Sequence, residues 1–169
     1  IIKTILVKNR LNVKHHLTEL PKEIMDGMLQ VNVVGIAMLC KYFGKQMKER
    51  GYGKIINVSS TRGARACLGG NASYCTTKGA LDMLTRTAAC DLGPEVCVNA
   101  IGPTNTVTPM MEDLIKEHPE ILHLGDDKPL QRIGTVEDCM GPAVFLASHA
   151  SDFMTGQIVY ADGGMTAIG

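Results

Sequence analysis

The sequence predicts an α/β domain built on a parallel sheet with crossover helices. Three observations predict it. Short β-branched apolar runs alternate with long amphipathic stretches, in the order strand, helix, strand, helix, strand, helix, strand. The runs are continuously apolar, as strands buried on both faces are. Gly, Pro or polar turns separate one element from the next. A chain of 169 residues fits one domain of ordinary size with a sizeable core, so residues 1–169 are read as a single unit.

Each element has a local reason. Residues 1–7 (IIKTILV) form an apolar, β-branched run and predict a buried strand. Residues 8–20 are polar and irregular. Pro21, Lys22 and Glu23 suit a helix first turn, with proline early and an acid near the positive end of the dipole. That helix is expected to run to about Arg50, with Met25, Leu29, Ile36, Cys40, Phe43 and Met47 as its core stripe. Its middle, residues 31–40, is apolar nearly all round except Asn32 and Gly35, and needs cover from a sheet and from something else, such as a partner subunit. Gly51, Tyr52 and Gly53 end it, and residues 54–58 predict the next strand. A second helix is expected over residues 73–92, with Asp82 and Arg86 as a favourable four-apart pair, stopped by Gly93-Pro94. Residues 96–101 predict a strand that Gly102-Pro103 ends. Residues 110–128 mix Met, Leu and Ile with Glu, His, Asp and Pro, as a mobile lid would. Thr135 to Asp138 resembles a capping box, predicting a helix to Ser148 in which Pro142 demands a kink or a late start. Residues 158–161 form the last strand.

Composition excludes several function classes. A hydrophobic content of 45% with 20% charge is that of a globular chain. Lys and Arg balance Asp and Glu at 17 each, so no global field draws in nucleic acid or an anionic membrane. Trp is absent and aromatics make up 4%, which leaves little for base stacking. No apolar run reaches the about 18 residues that a membrane span needs. The six cysteines show no C-x-x-C pairing and no clustering with His. They read as buried free thiols of a reducing, cytoplasmic compartment, although an even number leaves pairing formally open. His15-His16 are adjacent and His118 and His123 sit in a polar loop, so the histidines read as solvated surface and no metal is expected.

The chemistry concentrates in residues 54–78. In open α/β sheets ligands sit beyond the carboxyl ends of the strands, which Ser59-Ser60, Gly102-Pro103 and the segment after Val7 leave. Tyr74 and Lys78 are four apart on the second helix and share a face. A free phenol has a pKa of about 10 and is a poor base at neutral pH. A nearby ammonium favours the phenolate and draws that value toward the working range. A serine hydroxyl opposite can hold a substrate oxygen. Together these suit proton transfer to or from an alcohol oxygen, with a hydride acceptor that side chains cannot supply. Taken alone, Y-x-x-x-K matches by chance too readily to carry an assignment; its surroundings decide.

Those surroundings resemble the short-chain dehydrogenase/reductase family over nearly everything after about Leu20. The residues NVVG from Asn32, IINVSS ending in Ser60, YCTTK from Tyr74 to Lys78, VNAIGPTNTVT from Val98 to Thr108, and PLQRIGTVED, FLAS and TGQIVYADGG follow the family's motifs in the family's order. The resemblance implies a doubly wound, Rossmann-type sheet, of which this chain holds the C-terminal two-thirds. It implies that Tyr74 is the acid/base, that Lys78 lowers its pKa and holds the nicotinamide ribose, and that Ser60 hydrogen-bonds the substrate oxygen. Asn32 would hold a water that passes protons out past Lys78; as a buried amide it needs a partner in any case. Asn9, Pro103, Thr104, Thr106 and Thr108 would join Tyr74 and Lys78 in binding NAD or NADP.

Three departures stand beside the resemblance. The family's N-N-A-G falls at Lys8-Asn9-Arg10-Leu11, where only Asn9 matches; Thr104 replaces a glycine; and the Gly-rich turn after the first strand is not in the sequence. The chain is therefore expected to be the interior of a longer polypeptide. The C-terminal segment looks most like gluconate-type sugar-acid and polyol dehydrogenases, which implies a small polyhydroxylated substrate. A 3-oxoacyl-carrier-protein-type reductase is the alternative enzyme, and a non-catalytic binding or assembly partner the alternative class. In the family the two long helices form a four-helix contact between subunits, which implies a homotetramer or homodimer.

Overall fold

A computed structural model describes residues 4–7, 12–108 and 111–168. Four parallel strands form one sheet in the order β1 (Thr4–Val7), β2 (Gly53–Val58), β3 (Val96–Pro103) and β4 (Ile158–Ala161). The register pairs Thr4 with Lys54, Ile55 with Val98, and Ile101 with Val159. Every strand expected from the sequence is present, and β3 runs two residues further than expected, through Pro103.

Helices cover both faces, as the doubly wound reading requires. On one face α2 (Gly35–Glu49) and α3 (Ala72–Leu92) bury Ile36, Cys40, Met47, Leu81 and Ala88 against Ile55, Val96 and Val98. On the other, α5 (Glu137–Ala147) buries Leu146 against Ile56 and Ile101. Ile55 and Ile56 thus point to opposite faces, following the two-residue period of a strand. The segment expected as a lid carries the short helix α4 (Glu112–Glu117) and a 3-10 stretch, Pro119–Gly125; Met110, where the expected lid begins, lies outside the described residues. Helix α5 begins at Glu137 and holds Pro142 in its interior, so the start is not delayed. Half of the expected capping box forms: Asp138 Oδ2 accepts from the Thr135 backbone N–H at 2.8 Å.

The first long helix departs from its expected core stripe. It is α1 (Lys22–Leu29), then a π-helical turn Gln30–Val34, then α2. Met28, Asn32, Ile36, Cys40, Gly44 and Met47 are buried, so Met28 replaces Met25 and Leu29, and Gly44 lies deeper than Phe43. A π turn takes about one residue more than an α turn, which shifts the facing of everything before it. By length and composition the stretch Lys22–Glu49 is apolar enough to cross a membrane, which corrects the expectation that nothing in the chain reaches that length; its Ile36, Cys40 and Met47 are nevertheless packed into the core.

All six cysteines are free, but only Cys40 is buried and Cys90 is exposed, so burial is not their common feature. His15 is half-buried rather than solvated, and its backbone bridges to the loop before α3, donating to Gly70 O at 2.9 Å.

Candidate active site

The site lies at the carboxyl ends of β2 and β3. Strand β2 delivers Ser59 and Ser60, which are 4% and 9% exposed. Ser60 is extended, and its Oγ accepts from the Arg62 N–H at 3.2 Å, starting the 3-10 turn Thr61–Gly63. The chain then loops to Gly69 and Gly70, both with φ in the left-handed region (85° and 70°). A Cβ on Gly70 would meet the His15 carbonyl carbon at 2.8 Å. That close approach sets the entry to α3.

Helix α3 brings Tyr74 and Lys78 onto one buried face. Tyr74 is 8% exposed, Lys78 is 2% exposed, and the Lys78 ammonium lies 5.7 Å from the centre of the Tyr74 ring. Lys78 Nζ also donates to the Val58 carbonyl at 2.9 Å, which ties the helix to the end of β2 just before the two serines. Asn32, on the π turn, is fully buried, and its Nδ2 donates to Thr77 Oγ1 at 3.2 Å. Thr77 in turn donates to the Tyr74 carbonyl at 2.9 Å. The structure therefore brings Asn32, Ser60, Tyr74 and Lys78 to one end of the sheet. Thr77, which the motif reading passed over, is the link; its signal is its place on the Tyr74 face, three residues on.

The residues expected to border a cofactor leave the end of β3. Pro103 is its last residue. Thr104 Oγ1 lies 3.1 Å from the Met165 sulfur, and Thr106 Oγ1 donates to the Thr104 carbonyl at 3.0 Å. Thr106 bridges to Gly134, and the Thr108 carbonyl accepts from Met111 N–H at 2.8 Å. A cavity of about 320 Å³ opens beside Thr104, walled by Leu130, Tyr160 and Gly163. Asn9 lies outside the described residues.

Asp82 lies deeper than its four-apart spacing with Arg86 indicates: it is buried, 4% exposed, and accepts from Ser59 Oγ, with Arg86 acting on it favourably through space. Burial pushes its carboxyl above the usual range, opposed by the Ser59 hydrogen bond, by Arg86 and Lys78 through space, and by Tyr160. Lys128, in the segment between β3 and α5, is 2% exposed, its Nζ donating to the Leu124 carbonyl. Burial is the main cause that lowers its pKa, and Arg62 adds to it.

Comparison with known proteins agrees with this geometry. A family model described as enoyl-(acyl carrier protein) reductase matches residues 4–166. L-xylulose reductase of Mus musculus is 38% identical over 151 residues, covering 88% of this chain and 62% of that protein. Gluconate 5-dehydrogenase of Gluconobacter oxydans is 35% identical over 151 residues, covering 89% of this chain and 59% of that protein. A crystal structure of gluconate 5-dehydrogenase from Burkholderia cenocepacia, in complex with NADP and tartrate, superimposes with a TM-score of 0.88 at 29% identity over 99% of this chain and 66% of that one. The chain thus spans about three-fifths of the length of the two curated relatives. With matched strand order, strand-end serines and the tyrosine–lysine face all in place, the chain belongs to the short-chain dehydrogenase/reductase family of oxidoreductases.

Proposed function

We propose that the protein carrying this chain is a NAD(P)-dependent oxidoreductase that interconverts a secondary alcohol and a ketone on a small polyhydroxylated substrate, a sugar acid or a polyol. The observation that carries this is the buried Tyr74–Lys78 face, with the ammonium 5.7 Å from the ring centre, beside a strand-end serine. An ammonium at that range favours the phenolate, so Tyr74 can take a proton from an alcohol or return one to a developing alkoxide. Ser60 holds the same substrate oxygen. Asn32 and Thr77 fix the helix turn that carries the pair, and in this reading Asn32 would hold a water that passes protons out past Lys78.

The donor set fits the nicotinamide end of a dinucleotide. The ammonium and phenol lie beyond the end of β2 and the hydroxyls of Thr104, Thr106 and Thr108 follow the end of β3, the strand ends at which ligands bind in open α/β sheets. Such hydroxyls and amines suit ribose hydroxyls and a carboxamide. The nicotinamide, when bound, accepts or donates the hydride. Asn9 would serve the same cofactor from the end of β1. The NADP of the Burkholderia structure supports NADP as one candidate, with NAD the other.

The names of the relatives support a sugar-acid or polyol substrate. Exposed Val34, Met38, Tyr42 and Met83 on the π turn, α2 and α3 support assembly as a homotetramer or homodimer, and six free thiols support a reducing, cytoplasmic setting.

The test is to titrate NADH and NADPH into the complete protein by nicotinamide fluorescence and to assay sugar acids, polyols and acyl thioesters. Tyr74→Phe is expected to lower kcat by about 10²–10⁴-fold with nicotinamide binding kept. Turnover of acyl thioesters alone would overturn the substrate reading, and absence of nicotinamide binding would overturn the enzyme.

A further inference from the structure

We propose that Asp82 is a positioning residue for the proton-handling site. It fixes the end of β2 that presents Ser60, and its buried negative charge sets the balance between the Lys78 ammonium and the Tyr74 phenol. This rests on the roles proposed above for Ser60, Tyr74 and Lys78.

The geometry places Asp82 where four pieces of backbone meet. From β2, Ser59 Oγ donates to Asp82 Oδ1, while the Ser59 N–H donates to the Ile101 carbonyl at 2.8 Å. Ser59 is therefore held from two sides, and its neighbour Ser60 has little freedom left. From the turn Thr61–Gly63, Gly63 closes so tightly that a Cβ there would collide with Asp82 Oδ2. From β4, Tyr160 faces the same carboxylate. Asp82 itself belongs to α3, one turn beyond Lys78. The helix that carries the acid/base and the strand that carries the serine are thus joined through this one carboxylate.

A purely structural joint has no need of a charge. Ser59 is a donor, and a neutral asparagine oxygen could accept from it. Among the described residues no ion pair within 4 Å includes Asp82, so whenever it is ionised its charge sits in a buried place without a contacting cation, which is costly and is why burial raises its pKa. The charged and titratable groups that face it are Lys78 and Arg86 on its own helix, one turn to either side, and Tyr160 from β4. Its field favours the ammonium form of Lys78. It also opposes the phenolate of Tyr74, two helical turns and about 12 Å of rise away. It thereby offsets part of the pull that the Lys78 ammonium exerts on the phenol and shifts the pH at which Tyr74 changes from acid to base.

The test is the titration of Tyr74 itself, read by tyrosinate ultraviolet absorbance in the complete protein without added cofactor. The Tyr74→Phe difference identifies the Tyr74 step among the tyrosines of the protein. Asp82→Asn, which keeps an acceptor for Ser59, is expected to move that step to lower pH by about half a unit or more, and the acidic limb of the kcat/KM profile to move with it. Ser59→Ala is expected to leave the step in place while lowering kcat about tenfold with nicotinamide affinity unchanged. An Asp82→Asn titration that superimposes on wild type overturns the electrostatic role, and a Ser59→Ala enzyme with wild-type kcat overturns the positioning role. If Asp82→Asn does not fold, Asp82→Glu carries the test: it keeps the charge and moves the carboxylate, so kcat should fall with the Tyr74 step unmoved, and wild-type kcat would refute the proposal. A protein that shows the titration shift but binds no nicotinamide would keep this inference and lose the proposed function.

Discussion

Gly63→Ala is the sharpest probe of how tightly the turn Thr61–Gly63 closes on α3. A methyl at Gly63 would overlap Asp82 Oδ2 and sit 2.9 Å from Asp82 Cγ and 2.9 Å from the Lys78 backbone carbonyl. Ordinary contacts begin near 3.4 Å, so the turn or the helix must retreat by about half an ångström or more, and the carbonyl is part of the helix itself. Overpacking of this kind costs about 1–3 kcal/mol. For a domain of this size each kcal/mol lowers Tm by about 2–4 °C, so a central cost of about 2 kcal/mol predicts a fall of about 4–8 °C. The retreat separates Ser60 from Tyr74 and Lys78, and a misplacement of about 1 Å can cost about 10²-fold in rate. Gly27→Ala is the control: that glycine lies inside α1 with nothing within 4 Å of a Cβ, so alanine should stabilise by about 0.5–1 kcal/mol. Differential scanning calorimetry and steady-state assay of both variants check the reasoning. A Gly63→Ala protein with wild-type Tm and turnover would show that the turn does not pack as described.

Two further outcomes are expected. Asp152 is held down to about 2, chiefly by the Lys54 hydrogen bond and then by His149 and Tyr52. Because that lies below the unfolded value of about 3.9, its contribution to stability is complete above about pH 5 and is lost as pH falls from about 4 through 2; urea midpoints of wild type minus Asp152→Asn should show a gap that closes over that window, and a constant gap would refute the assignment. Val34 and Met38 are 40% and 52% exposed, so replacing both with Glu should convert an oligomer to monomer by light scattering, whereas a wild type that is already monomeric would sink the assembly proposal.

Much of the fold was legible because its signals are local. Short β-branched runs such as residues 54–58, bounded by glycine before and serines after, read as strands, and the Tyr74–Lys78 spacing places both on one helical face wherever that helix goes. The lost information is tertiary. Asp82 and Arg86 have the spacing of a surface pair, and only the arrival of Ser59 and Tyr160 from two strands turns the carboxylate inward. His15 looked solvated because its backbone partner, Gly70, is far along the chain. Lys128 reads as an exposed loop lysine, yet a turn of its own segment folds back to accept its ammonium.

The shifted stripe of the first helix has a physical cause that also bears on the site. Buried positions Met28, Asn32, Ile36, Cys40 and Gly44 recur every four residues. In a pure α-helix each such step drifts about 40° around the axis, so about 160° would accumulate from Met28 to Gly44. One end of the stripe would then face away from the protein. The wider π turn Gln30–Val34 takes up part of that drift. It lets Asn32 reach Thr77 while Cys40 and Met47 still reach the sheet. A strictly helical segment would have to give up either the buried amide beside Tyr74 or the core contacts below it. Periodicity searches assume one repeat throughout and therefore misplace the residues on one side of such a turn. The same irregularity that hid Met28 is what seats Asn32 against Thr77, on the helix turn between Tyr74 and Lys78.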